Sequence, residues 1–213
     1  LSVLLAVSQL LTDIPELAEL DINPLLVNHE GAIALDARIR LSTARPAGAL
    51  NFAIRPYPAE LSETIDWNGQ RLELRPIRPE DEALHTDFLM RLDPEDIRMR
   101  VFYSRRTMAR SELARLTQID YTREMAFVAI APGPDGQPQT LGVARAMTDP
   151  DNISAEFGII VRSDMKGGGL GRLLMDKLVR YLRAQGTREL VATVLRENQR
   201  MLELGRLLGF RDA

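Results

Sequence analysis

The chain has 213 residues, with 27 basic and 30 acidic side chains for a net charge of −3, and 45% of it is hydrophobic. That composition suits a globular fold, gives no basic excess for a nucleic-acid backbone, and leaves no apolar run long enough to span a bilayer. Cysteine is absent, which excludes a disulfide framework, a thiolate metal site and a thiol nucleophile. No signal peptide is visible, so a cytoplasmic location is expected.

Residues 1–11 read as the end of a helix whose start is cut at Leu1. Residues 19–27 and 31–39 then read as two paired strands joined across Asn28 and Gly31. Residues 42–58 carry several prolines and little periodicity, and a linker is expected over 42–60. Beyond it, Ile65 and Trp67 alternate with polar residues, Asn68-Gly69 is a strong two-residue turn signal, and Leu72 and Leu74 complete a hairpin. Arg75-Pro76-Ile77-Arg78-Pro79-Glu80-Asp81-Glu82 opens a helix, Asp93-Pro94-Glu95-Asp96 a second, and residues 111–119 a third. Residues 125–131 and 140–147 are apolar strands separated by an exposed Pro-Gly-rich turn.

The densest chemical signal lies further on. Residues 155–161 form an apolar strand, and Leu170, Leu173, Leu174, Leu178 and Leu182 mark a helix, with Arg172, Asp176, Lys177 and Arg180 expected to face water. Between them runs Lys166-Gly167-Gly168-Gly169-Leu170-Gly171-Arg172. Glycines at a helix N-terminus leave the unpartnered first-turn amides open to an anion, and the helix dipole adds positive charge there. A dinucleotide fingerprint would need its third glycine at Leu174, and the Gly-Lys-Ser/Thr ending of a P-loop is missing. A plain helix cap needs one glycine at a helix end, not four at its start. Residues 189–195 read as another strand. Asn198 then begins a short helix that stops at Gly209 before Phe210, a position that also suits an N-cap.

Glu156 is the single carboxylate in the strand 155–161, and alternation puts it opposite Phe157. It is either a general base or a strand-edge carboxylate facing solvent. If the chain acts on an amine such as lysine, with a pKa of about 10.4, deprotonating it at neutral pH costs about 4 to 5 kcal/mol and calls for a base. Burial beside the apolar run would raise the Glu156 pKa toward the working range. His29 and His85 are far apart, lack partners at ligand spacing, and read as solvated surface. No metal site is expected.

The segment 166–171 resembles motif A of the GCN5-related N-acetyltransferases, Gln/Arg-x-x-Gly-x-Gly/Ala, with Lys166 in the first place. The segment from Asn198 through Leu208-Gly209-Phe210 resembles motif B. The resemblance implies the GNAT fold, an α/β (α+β) architecture whose mixed, mostly antiparallel sheet is flanked by helices, over residues 61–213. It implies acetyl-CoA as acyl donor, with no metal required for acetyl transfer. Backbone groups of Ile159, Ile160 and Val161 would hold the pantetheine arm. Lys166, Gly167, Gly168, Gly169, Leu170, Gly171 and Arg172 would hold the pyrophosphate, Asn198 would touch the arm, and Glu156 would be the base. The tyrosine that many relatives use as general acid is replaced by Gly205. Neither Tyr103 nor Tyr121 is tied to the leaving thiolate, so the acid is unassigned.

Residues 1–41, with Asn23-Pro24-Leu25 and Leu35-Asp36-Ala37, resemble the tail of the ATP-grasp domain in NDP-forming acyl-CoA synthetases. Asn23 and Asp36 would match magnesium ligands there, although this remnant alone implies no nucleotide binding, and a small hairpin packing on a neighbour is the plainer reading. The order of tail, linker and acetyltransferase is similar to bacterial protein lysine acetyltransferases. That likeness implies transfer to protein lysines, on metabolic enzymes such as acyl-CoA synthetases, with the rest of a synthetase-like polypeptide as partner. A small-amine acetyltransferase and an acyl-CoA-sensing regulatory module share the same donor residues. No nucleic-acid or membrane partner is expected. Both ends read as cut, with further strands expected after Ala213.

Overall fold

The structure, a computed structural model, describes residues 2–14, 16–29, 31–42, 55–101 and 109–211. Most of the expected linker (43–54), Tyr103 and the end of the chain at Ala213 lie outside the described residues. The chain divides into two units, Leu1–Pro56 and Tyr57–Ala213. Among the described residues, no helix is long and apolar enough to cross a membrane.

In the first unit, helix α1 (Ser2–Asp13) is followed by an interrupted hairpin. Strand β1 (Leu17–Ile22) pairs antiparallel with β4 (Ala37–Leu41), and β2 (Leu25–Val27) with β3 (Ala32–Ala34). The two expected strands are thus each broken in two, because Pro24 has no N–H to give the ladder. Asn23 and Asp36 sit opposite each other at the break, where Asn23 N donates to Asp36 O at 3.1 Å. Gly31 N closes the turn on Asn28 Oδ1 at 2.9 Å.

The second unit is built on a six-stranded sheet of order β10-β9-β8-β7-β6-β5. Strands β5 (Glu63–Trp67), β6 (Gln70–Pro76), β7 (Glu124–Pro132), β8 (Pro138–Thr148) and β9 (Ser154–Val161) are mutually antiparallel. Only β10 (Glu189–Val191) is parallel to its neighbour β9. The Asn68-Gly69 turn has both residues at positive φ, 53° and 78°, as a type I′ hairpin requires. Helices α2 (Glu82–Met90), α3 (Pro94–Val101) and α4 (Arg110–Thr117) lie between β6 and β7 in the chain; α5 (Leu170–Ala184) and α6 (Gln199–Leu207) flank β10. Phe127, Val128, Val143 and Phe157 from the sheet, Phe88 from α2, and Leu170, Leu174 and Leu178 from α5 share one core.

Three expectations need correction. Strand β10 ends at Val191 rather than near Leu195, because its pairing with β9 stops there. Lys177 does not face water: it is buried, its Nζ lies 4.9 Å from the Phe127 ring centroid, and it reaches Glu63 at 3.0 Å. Its long stem packs as an apolar chain while the ammonium finds a carboxylate. His85 is not on the surface either. It shares the inward face of α2 with Phe88 three residues on, is only 4% exposed, and its Nδ1 has no hydrogen-bond partner.

The segment leading into α2 is fixed by a buried ion pair. Arg75 grips Asp81 with two hydrogen bonds of 2.7 Å, and Asp81 also accepts from Arg78 N at 2.8 Å. Burial opposes the guanidinium charge, but the hydrogen bond to Asp81 and its charge outweigh that, so the Arg75 pKa is raised. Asp81→Ala strands the guanidinium in the interior and is expected to destabilise the unit by about 3 to 5 kcal/mol. Urea denaturation followed by the fluorescence of Trp67, the single tryptophan, measures it.

A second expectation concerns acid. Burial, helped by the charge of Arg145 and opposed by Asp81, lowers the His85 pKa from 6.5 to about 4. The stability contributed by neutral His85 is therefore fully present above pH 6.5 and is lost as pH falls toward 4. Over that window the wild type should lose up to about 3 kcal/mol more than His85→Gln. Parallel stability curves for the two proteins would refute it.

Candidate active site

The site is created by a pairing that stops early. Glu189, Leu190 and Val191 pair with Ser154, Ala155 and Glu156. The chain then leaves the sheet, and Ala192, Thr193 and Val194 become one wall of a cleft of about 550 Å³ whose other wall is the second half of β9. On its far edge β9 stays paired with β8 in unbroken register, and Arg162 N donates to Leu141 O at 2.8 Å. Alternation from that bond turns the backbone groups of Gly158 and Ile160 toward β8, and those of Phe157, Ile159 and Val161 toward the cleft. Ile159 and Val161 thus offer the free polar groups that an extended arm can pair with. Ile160, expected to do the same, lines the cleft with its backbone already engaged.

The glycine segment closes one end of this cleft. Gly167 and Gly169 have φ of +87° and +81°, in the left-handed region where a Cβ is penalised. Gly169 is the N-cap of α5, and no side chain caps the helix there. The first-turn amides of Leu170, Gly171 and Arg172 are left for an anion. Gly167, Gly169, Leu170, Gly171 and Arg172 all line the cleft. Gly168 serves a different purpose: a Cβ there would lie 2.8 Å from the Trp67 ring, and its carbonyl accepts from Trp67 Nε1 at 2.8 Å. Sequence reasoning missed this brace, which spans 101 positions; the lone tryptophan beside the Asn-Gly turn was its one visible trace.

Lys166 points into the cleft but is ion-paired with Asp96 of α3. Asp96 also accepts from Ser163 Oγ at 2.5 Å. Two residues further along α3, Arg98 reaches Glu197, just ahead of α6, at 2.5 Å. Asn198 lines the cleft and at the same time caps α6, its side chain accepting from Met201 N at 3.1 Å. Both roles read from the sequence are therefore compatible.

At the other end of the cleft stands Glu156. Its carboxylate is exposed, so the burial expected beside the apolar run is absent. Phe157 next to it is 6% exposed and turns inward against Phe210, ring centroids 5.2 Å apart. Gly158, on the same face as Glu156, is covered by Arg100: a Cβ at Gly158 would lie 2.1 Å from the guanidinium carbon. Burial and then the charge of Arg145 lower the Arg100 pKa, and Glu156 acts in the opposite direction. Neither Asp96 nor Arg100 was singled out from the sequence. Gly205 faces Phe210, whose Cβ lies 3.8 Å from where a Gly205 Cβ would be. Tyr121 is engaged elsewhere, donating to Ile77 O at 2.7 Å, with its pKa pushed up to about 12 chiefly by burial.

Residues 71–211 match the acetyltransferase (GNAT) domain model, and residues 1–41 match an ATP-grasp domain model. The chain is 30% identical over 148 residues to an acetyltransferase of Pseudomonas aeruginosa, covering 70% of this chain and 78% of that one. The chain belongs to the GNAT acetyltransferase family. Among solved structures, the GNAT domain of S. lividans PAT aligns with a TM-score of 0.67 and 21% identity over 74% of this chain and 92% of that domain. The ribosomal alpha-N-protein acetyltransferase RimL in complex with coenzyme A aligns with a TM-score of 0.56 and 15% identity over 69% and 83%. These likenesses show the GNAT fold.

In this GNAT domain a pyrophosphate brought to Lys166 would have to compete with Asp96. Asp96→Asn removes the competing charge and is expected to tighten coenzyme A binding by about threefold or more at low ionic strength. Lys166→Ala should weaken it. Calorimetric titration of coenzyme A into the three proteins decides the matter, and unchanged affinity in Asp96→Asn would show that the carboxylate does not compete.

Proposed function

We propose that this protein transfers acetyl from acetyl-CoA directly to the ε-amine of protein lysines, on metabolic enzymes such as acyl-CoA synthetases. The observation that carries the donor half of this reading is the cleft itself: a strand edge left unpaired at Ile159 and Val161, ending in a helix N-terminus opened by left-handed glycines. Those residues fit a pantetheine arm and a pyrophosphate by backbone alone. RimL, which shares the fold, is seen with coenzyme A. The acceptor half is supported by the order of the chain, an ATP-grasp match followed by a GNAT match, and by the likeness to the S. lividans PAT domain.

The chain's residues divide the work as follows. First-turn amides of α5, with Lys166 and Arg172, balance the negative charge of the pyrophosphate. Ile159 and Val161 fix the depth of the arm, so that the thioester is held at Phe157 and Gly158. Glu156, exposed beside that point, takes the ammonium proton of the acceptor directly or through one water. Exposure suits this role, because a macromolecular lysine has to reach the carboxylate from outside. With no cysteine to carry an acyl group, the transfer is direct. The same donor residues would serve a small amine, and the fold is shared with a spermidine N-acetyltransferase SpeG chimera from Vibrio cholerae.

Glu156→Gln is the deciding variant. Acetyl-CoA affinity is expected to stay within about threefold, while thiol release with an acyl-CoA synthetase as acceptor falls roughly a hundredfold or more. Wild-type thiol release with small amines but with no protein acceptor would overturn the lysine assignment. Binding without any turnover would point to a sensing module instead.

A further inference from the structure

We propose that the Arg100 guanidinium stabilises the thiolate that leaves as the acetyl group is transferred. The inference rests on the reading that acetyl-CoA occupies the cleft.

The position follows from the strand. The free edge of β9 runs from Val161, next to the glycine segment, back to Phe157, which follows Glu156, the last residue in register with β10. Four residues of strand cover about 13 Å, and an arm lying along them ends at Gly158. Arg100 lies on that residue, so closely that any side chain at Gly158 would strike its guanidinium carbon and Nη2 at 2.1 Å. Glu156 is on the same face of β9, two residues away, and all three line the cleft.

The charges around it leave Arg100 short of a partner. Among the described residues it makes no ion pair or side-chain hydrogen bond. It is partly buried, Arg145 of β8 repels it, and Glu156 of β9 attracts it. The other charged groups of the cleft are committed or distant in the fold. Lys166 is paired with Asp96 at the glycine end, Arg172 stands 3.7 Å from Asp176 on α5, and Arg200 and Glu203 belong to α6 on the other wall. A partly buried guanidinium with only an exposed carboxylate to attract it raises the energy of the resting site, and an anion arriving beside it lowers that energy. The anion that the reaction creates at this level is the sulfur.

The bookkeeping of the step closes without an acid. Glu156, exposed to solvent, passes the ammonium proton on to water. The acceptor nitrogen then forms its bond to the acetyl carbon, the carbon–sulfur bond breaks with its electron pair on sulfur, and the second proton, released from the nitrogen, goes to the Glu156 carboxylate. Arg100 remains protonated and holds the sulfur anion until solvent protonates the released thiol. The α6 residues lining the cleft, Arg200, Met201, Glu203, Leu204 and Leu207, carry no hydroxyl that could do this.

The test needs no acceptor. Coenzyme A with its free thiol is bound to the protein, and thiolate formation is followed by its ultraviolet absorbance as pH rises. A free alkyl thiol ionises near 8.5. Bound to the wild type, the thiol is expected to ionise at least one unit lower, a tenfold larger thiolate fraction at a given pH below 8. Arg100→Gln should abolish the shift with coenzyme A affinity within about threefold, and Arg100→Lys should restore part of it. Gly158→Ala keeps the charge and displaces the guanidinium, and should also lose the shift. A shift that persists in Arg100→Gln overturns the proposal. So does an unshifted thiol in the wild type, the result expected if Arg100 instead seats a carboxylate of the acceptor. If coenzyme A does not bind the wild type at all, the donor reading itself falls, and this inference with it.

Discussion

The cleft of the GNAT domain depends on β9 having a partner for only part of its length on one side. A strand interior to a sheet has both edges occupied, and an edge strand that stays open invites aggregation. Here β10 covers the first three residues of β9 and then departs, so the exposed stretch is short and lies inside a cleft. The open edge is possible because the other edge is held without a bulge by β8 from Ala155 to Val161. Phe157 supplies the second anchor, packing inward against Phe210. The polar groups at Ile159 and Val161 remain unpaired by the sheet, a cost that an extended ligand arm would remove.

Buried charge locates the ends of the elements around this edge. Arg75 and Asp81 join the end of β6 to the start of α2. Arg162, 8% exposed, joins the end of β9 to Gln139 on β8 at 2.8 Å and to Asp164 at 2.7 Å. Lys177 ties α5 to Glu63 on β5 at the far side of the sheet. Such pairs contribute less net stability than apolar packing of the same volume would, but they tolerate few alternative arrangements. That property suits strand ends that have to deliver the glycine segment to one place, with Trp67 holding it from the side.

The sequence made the donor half of the site legible because its signals are local. Alternation in residues 155–161, the 3.6-residue period of α5 and the glycines between them are each confined to a few residues, and of the site residues expected from them all but Gly168 line the cleft. What stayed hidden is long-range. Trp67 and Gly168, Asp96 and Lys166, and Arg100 and Gly158 are separated by 58 positions or more, and no periodicity encodes such pairs. His85 and Lys177 were misread for a related reason. Polarity was taken as exposure, whereas the inward face of α2 that His85 shares with Phe88 and the carboxylate of Glu63 decided burial. The split of the first hairpin at Pro24 could have been read from the missing donor alone.

Helix α3 is where the two halves of the site meet. Its eight residues place Asp96 against Lys166, Arg98 against Glu197 ahead of α6, and Arg100 over Gly158. One short helix therefore touches the glycine end, the α6 wall and the reacting end of the same cleft. Its contacts to the first two are ion pairs of different exposure: Asp96 and Lys166 are largely shielded from solvent, whereas Glu197 is exposed and its pair with Arg98 is the more readily screened by salt. Ile97 of the same helix packs against the core, so apolar contact as well as charge sets where α3 lies. Its position in turn fixes where Arg100 and the approach to Glu156 lie.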